Sequence, residues 1–350
     1  MPYSRRDALK ISGLLAAGVF AAPARAAAPP ATAISPELVE AARREGKLAL
    51  YSGLDLPLSE KLAKAFEARY PGIAVRVERS GAERIFQRIG QEQASRIHAA
   101  DVAISTDAGH FVSWKRSGWL APFVPQDVAQ HFAPADYDAD GMHVTLCFSL
   151  SGLGYNTSLV KREDAPKSFA DLLDPKWKGR IVKAHPGYSG TILTTTYALS
   201  QTLGWSFYER LSEQRVMQVQ SAGDPPKKLA LGERAVQADG VDAILEQLKE
   251  QGQPVEFVYA AEGTPLITTP GGVLRSAPNP NAARLFYSFL CAPDGQQIFV
   301  EANRHSPHPL VKPKPGRTAL SAVKLIRSDP AAVEAQSEEI KARYAKLFRV

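Results

Sequence analysis

The chain has very few cysteines. Only Cys147 and Cys291 occur among its 350 residues, and each lies in an apolar stretch. A buried thiol in such a setting fills space, and this spacing suits no zinc site. Whether the two cysteines form a disulfide stays open here, because a sequence does not give the distance between them.

No hydrophobic run is long enough to cross a membrane. The apolar run at residues 11–22 covers about a dozen residues, whereas a spanning helix needs roughly 20. Arg5 and Arg6 precede this run, and small residues at 24 and 26 follow it. This pattern predicts a signal for the twin-arginine translocase, cleaved near Ala26, and hence a periplasmic protein. An ordinary Sec signal is the alternative.

Neither sign of charge dominates the chain. The predicted signal contains four of the 42 basic residues and one of the 36 acidic residues, which leaves a net charge of about +3 after cleavage. This excess is small and dispersed, and no basic run is interleaved with aromatic residues. We therefore expect no nucleic-acid partner.

Catalytic and metal-binding patterns are also missing. Residues 136–147 begin like a calcium loop, but Cys147 occupies the position of the required glutamate. Residues 187–191 depart from the nucleophile-elbow pattern at Thr191, and residues 152–154 lack the third glycine of a dinucleotide loop. We predict no catalytic residues, no cofactor and no metal; an exported hydrolase is the alternative from another class.

Short apolar strands alternate with amphipathic helices, first over residues 35–104 and again over residues 180–259. This alternation predicts an α/β fold with parallel sheets covered on both faces. The length after cleavage suits two domains. A strand-like run at residues 142–150 and a second one beginning at residue 266 would connect the domains. Two such crossings predict a hinge.

Small polar residues follow each of three predicted strands in the first half. The carboxyl ends of parallel strands share one edge, so these loops should lie side by side, where hydroxyls and helix N-terminal N–H groups meet a ligand. Helix capping is the competing interpretation for each loop. The candidate ligand-binding residues of this half are Ser52, Gly53, Ser80, Gly81, Ser105, Thr106 and Asp107.

A second group of candidates lies in the other half. Hydroxyls and backbone N–H groups at a helix N-terminus suit a phosphate, phosphonate or carboxylate. Two loop acids could instead be solvated; facing the ligand, they would favour one that also carries a positive group. The candidates of this half are Tyr188, Ser189, Gly190 and Thr191 before a predicted helix, and the acids Asp239 and Glu262.

Five phrases of the sequence, in their order and spacing, resemble the bacterial extracellular solute-binding proteins of ABC importers, in the branch that holds ferric-iron, thiamine and organophosphonate binders. The resemblance implies an α/β periplasmic-binding-protein fold of type II, with two lobes, two crossing hinge strands and the ligand between the lobes. It implies a small-molecule solute and the permease subunits of the inner membrane as partners, and we expect a monomer. The phrases occupy residues 50–53, 65–72, 100–102, 152–156 and 174–181.

The expected organisation follows from this resemblance and from the alternation of elements. Residues 317–350 should form a C-terminal helical segment packed on lobe 2, with a final helix at 337–347. The other boundaries are a signal peptide at 1–26, lobe 1 at 27–145, lobe 2 at 146–265 and a return to lobe 1 at 266–316.

The resemblance also allows a test for iron. Ferric binders of this kind generally hold the metal with two adjacent tyrosines, because a hard trivalent ion favours anionic oxygen ligands. This sequence contains no adjacent tyrosines, and the corresponding region at 236–240 reads Val-Gln-Ala-Asp-Gly. We therefore predict capture of a small anionic or zwitterionic solute of the phosphonate, organophosphate or carboxylate type, with ferric iron as the alternative.

Overall fold

A computed structural model describes residues 28–350. This part of the chain is built on two β-sheets, one of six strands and one of five. We call the body around the six-stranded sheet lobe 1 and the body around the five-stranded sheet lobe 2. The predicted export signal and its cleavage site lie outside the described residues.

The first half of lobe 1 alternates strands and helices, as the apolar periodicity predicts. Asp55 caps the second helix by accepting the N–H of Leu58, and a proline follows within its first turn. In chain order the elements are α1 (Pro36–Glu45), β1 (Lys47–Ser52), α2 (Leu56–Arg69), β2 (Ala74–Arg79), α3 (Ala82–Ala94), β3 (Val102–Ile104), α4 (Ala108–Arg116), α5 (Gln126–His131) and β4 (Val144–Leu150).

Lobe 2 repeats the alternation with shorter strands. Its core gathers large aromatic side chains, among them Trp177, Phe169 and Tyr208, which are completely or almost completely buried. In chain order the elements are β5 (Leu153–Asn156), β6 (Ile181–Ala184), α6 (Gly190–Leu203), α7 (Trp205–Ser212), β7 (Met217–Val219), α8 (Asp224–Ala230), β8 (Val236–Gln237), α9 (Asp242–Glu250) and β9 (Val255–Val258).

The chain then returns to lobe 1. Helices from this part pack on the first sheet, where the ring of Phe286 meets that of Phe66 edge-on at 5.0 Å. The elements are β10 (Thr264–Val273), α10 (Pro280–Cys291), α11 (Pro293–Glu301), β11 (Leu325–Ile326) and α12 (Pro330–Phe348).

The order of strands places the loops that bear the candidate residues. In lobe 1 the order is β11-β10-β3-β1-β2, with β4 paired to β10, and β1 runs parallel to both β2 and β3. In lobe 2 the order is β7-β6-β8-β5-β9. Because β1, β2 and β3 run parallel, their carboxyl ends open on the same edge of the sheet.

Strands β4 and β10 form an antiparallel ribbon between the lobes. Ser149 pairs with Ile267, and the next pair along is Phe148 with Thr268. Successive residues of a strand point to opposite faces, so these two pairs look out on opposite sides of the ribbon. This hinge ribbon therefore forms a wall with two separate faces.

Helix α12 lies against both lobes. Its Lys341 ammonium is 2.9 Å from Glu83 of α3 in lobe 1, and the Tyr344 hydroxyl donates to Gln218 of β7 in lobe 2 at 2.7 Å. The C-terminal segment, which the sequence led us to expect on lobe 2, thus also contacts lobe 1. Within residues 28–350 no helix combines the length and apolar character that a membrane crossing requires.

Candidate functional site

A cavity of about 150 Å³ lies between the two lobes, at the edge where β1, β2 and β3 end. Lobe 1 contributes loop residues such as Gly53 and Thr106, and lobe 2 contributes the start of α6 at Ser189 and Thr191. One face of the hinge ribbon closes the cavity through Ser149 and Ile267, which pair across the strands.

The cavity lining is strongly cationic. It includes the side chains of Arg79 and Arg84 from lobe 1, Lys227 from α8 of lobe 2, and Arg304 from the segment after α11. Asp55 is the one carboxylate among the described residues that line it. A cavity with four cations and one anion favours a negatively charged ligand.

Arg304 is held rigidly in this wall. The residue is only 7% exposed, and its guanidinium donates to Ser149 Oγ at 2.9 Å and to Asp55 Oδ2 at 2.8 Å. Its Nε finds no hydrogen-bond partner among the described residues. The carboxylate of Asp55 is thus already paired with Arg304. The Nε–H of Arg304 remains available to another acceptor.

Two long helices start at the cavity without a side-chain cap. Helix α3 begins after Gly81, and α6 begins after Ser189, whose hydroxyl makes no capping hydrogen bond. The first N–H groups of a helix have no partner within the helix, and the helix dipole adds positive potential there. Both helix starts therefore reinforce the attraction of the four cations for an anion.

The cavity brings together six of the residues that the sequence singled out. They come from all three loops of the first half and from the helix start of the second half. They are Gly53, Gly81, Thr106, Tyr188, Ser189 and Thr191.

Three other candidates form hydrogen bonds within their own lobe. Ser52 Oγ contacts Ser59 Oγ at 2.8 Å and accepts the N–H of Leu54. Ser105 Oγ accepts the N–H of Asp107, and the Asp107 carboxylate accepts the N–H of Gly109 at the start of α4. Asp107 is the N-cap of α4, as the capping interpretation predicts, whereas Ser52 and Ser105 use their hydroxyls for hydrogen bonds within the loops.

Ser80 and Gly190 lie next to the cavity without lining it. Ser80 donates its N–H to the carbonyl of Ser52 at 3.2 Å, which ties two of the loops together. Gly190 packs so closely on Asp107 that a Cβ added to it would lie 2.3 Å from the Asp107 Cβ. Lobes 1 and 2 therefore touch at this rim, and the structure has the lobes closed on each other.

The two loop acids predicted to bind the ligand do not line the cavity. Asp239 is buried, lies 2.7 Å from the ammonium of Lys183 and accepts the N–H of Ala184. Glu262 accepts two backbone N–H groups, those of Phe169 and Ala170. Both carboxylates are occupied by internal partners and neither lines the cavity, so neither offers a charge to a positive ligand group.

Sequence reasoning missed the four cations. Arg79 ends β2, so its position at a strand's carboxyl end was a usable signal. Lys227 lies on α8, whose start at Asp224-Pro225-Pro226 looks like a turn in the sequence, although proline is tolerated in the first turn of a helix. Arg304 follows α11 and reaches the cavity through tertiary packing, for which the local sequence carries no signal.

The lining residues also show which ligands the cavity could offer to ferric iron. Tyr188 is the one tyrosine among the described lining residues, and it is 47% exposed. Asp55, the other anionic oxygen donor, is paired with Arg304. The cavity thus lacks two neighbouring phenolate ligands within the described part of the chain.

The fold is that of the two-lobed periplasmic binding proteins. The structure of the periplasmic binding protein AfuA from Actinobacillus pleuropneumoniae, with exogenous fructose-6-phosphate bound, matches with a TM-score of 0.80 at 24% identity, over 87% of this chain and 99% of that one. Iron-bound HitA from Pseudomonas aeruginosa matches with a TM-score of 0.74 at 22% identity, over 85% and 99%. At these identities the likeness establishes the fold, and the predicted fold class is confirmed.

The chain belongs to the family of bacterial extracellular solute-binding proteins, whose sequence profile matches residues 47–302. The major ferric iron-binding protein of Neisseria gonorrhoeae is 24% identical over 298 residues, 79% of this chain and 83% of the relative. An uncharacterized protein of Haemophilus influenzae is 26% identical over 270 residues, 73% and 76% of the two chains. The predicted family is confirmed: this is a bacterial extracellular solute-binding protein.

Proposed function

We propose that the protein captures a small phosphorylated or phosphonate-type organic anion in the cavity between its lobes. The observation that carries this proposal is the lining of four cationic side chains, Arg79, Arg84, Lys227 and Arg304, around one carboxylate that is already paired. A phosphate group offers several acceptor oxygens and up to two negative charges, which suit guanidinium donors in particular.

The helix starts support the same ligand class. The N–H groups at the beginning of α3 and α6 face the cavity from opposite lobes, and neither helix uses a side-chain cap. An anion held by both helix starts would be bound fully only when the lobes close. Ligand binding would then stabilise the closed arrangement through contacts that the open form cannot make.

One of the similar structures supports a phosphorylated ligand. AfuA was solved with fructose-6-phosphate, a phosphorylated solute. The proposal is narrower than the class of anionic or zwitterionic solutes predicted from the sequence, because Asp239 and Glu262 are used internally. Among the described lining residues, Asp55 alone could pair with the positive end of a zwitterion. A ligand with an anionic head and a neutral polar body fits this lining better.

Ferric iron is the second candidate, because several relatives of similar identity are named for iron uptake or ferric-iron binding. The lining argues against it. Among the described lining residues, a trivalent cation would meet four positive side chains, and the oxygen donors that can be anionic are the Tyr188 phenol, once deprotonated, and the engaged Asp55.

The proposed role is transport without catalysis. The protein, exported to the periplasm by its twin-arginine signal, would act as a monomer and deliver its solute to permease subunits of the inner membrane. An exported phosphatase would instead release phosphate from a generic phosphate ester, so incubation with p-nitrophenyl phosphate separates the two roles.

Isothermal titration calorimetry on the mature protein tests the ligand class. The probes are fructose 6-phosphate, methylphosphonate, inorganic phosphate and ferric citrate, each titrated into wild type and into R84Q, R304Q and R88Q. Arg88 is the matched control, because it lies one turn beyond Arg84 on α3 and pairs with Glu92 outside the cavity.

We expect an organic phosphate or phosphonate to bind wild type and R88Q alike. R84Q and R304Q should each lose about tenfold or more in affinity, since a hydrogen bond to a charged group contributes about 1.5–3 kcal/mol. Tight ferric binding that survives both cavity substitutions, together with no response to the organic anions, would overturn the proposal.

A further inference from the structure

A cluster of two histidines and one aspartate lies on lobe 1, outside the ligand cavity. Asp127 and His131 are four residues apart on α5, so they share one face of the helix. His308 comes from the segment that follows α11. Each of the three offers one ligand atom, and these atoms all lie within 4.8 Å of one another.

His308 is the buried member of the cluster. Its side chain is 0% exposed, and its Nε2 lies 3.5 Å from Oδ1 of Asp127 without a hydrogen-bond partner among the described residues. The ring lies 5.0 Å from the ring of His131 and meets Phe132 edge-on at 5.6 Å. A buried polar atom without a partner is costly, so such an atom calls for an explanation.

The spacing suits a metal ion. Zinc binds histidine nitrogen and carboxylate oxygen at about 2.0–2.2 Å in tetrahedral geometry, which puts two ligand atoms roughly 3.3–3.5 Å apart. The Asp127–His308 separation of 3.5 Å is close to this value.

We propose that Asp127, His131 and His308 form a binding site for a divalent transition metal of the zinc class. Imidazole and carboxylate together suit an ion of intermediate softness, and water would complete the coordination on the side where Asp127 reaches solvent. None of the three residues lines the ligand cavity. The site is therefore independent of the proposed solute binding, and its role is to fix α5 to the chain segment that follows Arg304.

Metal binding requires a particular tautomer of His308. The N–H of Leu310 donates to its Nδ1 at 3.3 Å, which puts the proton of a neutral ring on Nε2. A metal bound through Nε2 needs the lone pair of that nitrogen, so the single ring proton must move from Nε2 to Nδ1, and the long hydrogen bond from Leu310 is lost. Metal binding and the present tautomer are thus mutually exclusive.

The test uses tag-free mature protein freed of metal by a chelator. Zinc chloride is titrated by calorimetry, and cobalt(II) is added in parallel to record the visible absorption of a tetrahedral site. The variants are D127N and H131A, both at positions that are not fully buried, with H98A as the control because His98 is an exposed histidine away from the cluster.

We expect one zinc ion to bind wild type and H98A equally, with a loss of at least tenfold in affinity for D127N and for H131A. In wild type, zinc should also shift the ¹⁵N signals of His308 from the Nε2-protonated to the Nδ1-protonated pattern. The proposal would be overturned if zinc bound both cluster variants as tightly as wild type. It would also be overturned if wild type that keeps its melting temperature bound no zinc. Neither result depends on which solute the cavity takes.

Discussion

The ammonium of Lys183 lies 2.7 Å from the carboxylate of Asp239, and these side chains are 2% and 1% exposed. The aromatic rings of Tyr344 and Tyr208 flank the ammonium at 4.6 and 5.8 Å. Burial raises the pKa of Asp239 and lowers that of Lys183, while their mutual attraction opposes both shifts. An acid that looked like a ligand contact in the sequence is thus an internal partner in lobe 2, beside the C-terminal helix.

Removing one member of this pair should strongly destabilise the protein. The substitution D239A leaves the Lys183 ammonium buried without its counter-ion, which costs about 3–5 kcal/mol of unfolding free energy. Urea denaturation followed by circular dichroism measures the loss. The control is E256Q, which breaks the exposed Lys249–Glu256 pair and should change stability by no more than about 1 kcal/mol. Equal effects of the two substitutions would contradict the assignment of a buried pair.

The contact between Gly190 and Asp107 should control lobe closure. A Cβ at residue 190 would lie 2.3 Å from the Asp107 Cβ, whereas one at Gly90, within α3, would meet its nearest neighbour at an ordinary 3.9 Å. We expect G190A to weaken binding of the anion that wild type takes by at least tenfold and to keep the radius of gyration large when ligand is added. G90A should bind and contract like wild type. Calorimetry and small-angle X-ray scattering measure both; normal contraction of G190A would show that this rim does not limit closure.

Stability should fall on mild acidification because of His143. Burial, with a smaller contribution from Lys115, lowers the pKa of His143 to about 4 from an ordinary value of 6.5. The unfolded chain therefore binds a proton that the folded one does not between these values, and the unfolding free energy drops as pH falls from 6.5 to 4, by about 3 kcal/mol at most.

The substitution H143Q should flatten this dependence, and H98Q, at an exposed histidine, should leave it unchanged. Denaturant titrations at pH 7, 6, 5 and 4 give the required free energies. If H143Q shows the same slope as wild type over this interval, His143 is not the group that titrates.

The two cysteines should be unreactive in the folded protein. Both are buried and unpaired, and burial raises the pKa of Cys147 to about 11 and that of Cys291 above its usual range. Thiolate is the reactive form, so dithionitrobenzoate at pH 8 should label neither residue in the native state and both after denaturation. Fast labelling of the native protein would contradict the burial, and no labelling of the denatured, unreduced protein would indicate a disulfide.

Local sequence signals predicted much of the frame. The strands before Ser52-Gly53 and Ser105-Thr106 were recognisable because a short apolar run ends in small polar residues, and the structure places a strand in each case. The final helix was expected to begin at residue 337, but it starts at Pro330 because Asp329 caps it and proline suits the first turn. The capping signal was in the sequence and outweighs the weak amphipathic pattern that follows.

The site was less accessible to sequence reasoning than the fold. Ser105 and Ser189 both precede a helix, yet Ser105 bonds within its own loop while Ser189 makes no cap and lines the cavity. The difference depends on side-chain rotation and on the opposing lobe, which a local pattern does not record. Arg304 reaches the cavity only because α11 packs on lobe 1, and no spacing in the sequence links it to Asp55.

The two faces of the hinge ribbon line different cavities and can therefore be altered separately. Ser149, Ile267 and Thr269 look toward the ligand cavity, whereas Phe148, Leu266 and Thr268 line a second cavity behind the ribbon. Redesign of solute preference would therefore act on the first trio, and adjustment of hinge stiffness on the second. Inserting a single residue into one strand would turn the later side chains of that strand to the opposite face while the partner strand stays as it is, so substitutions are the better route to a changed solute preference.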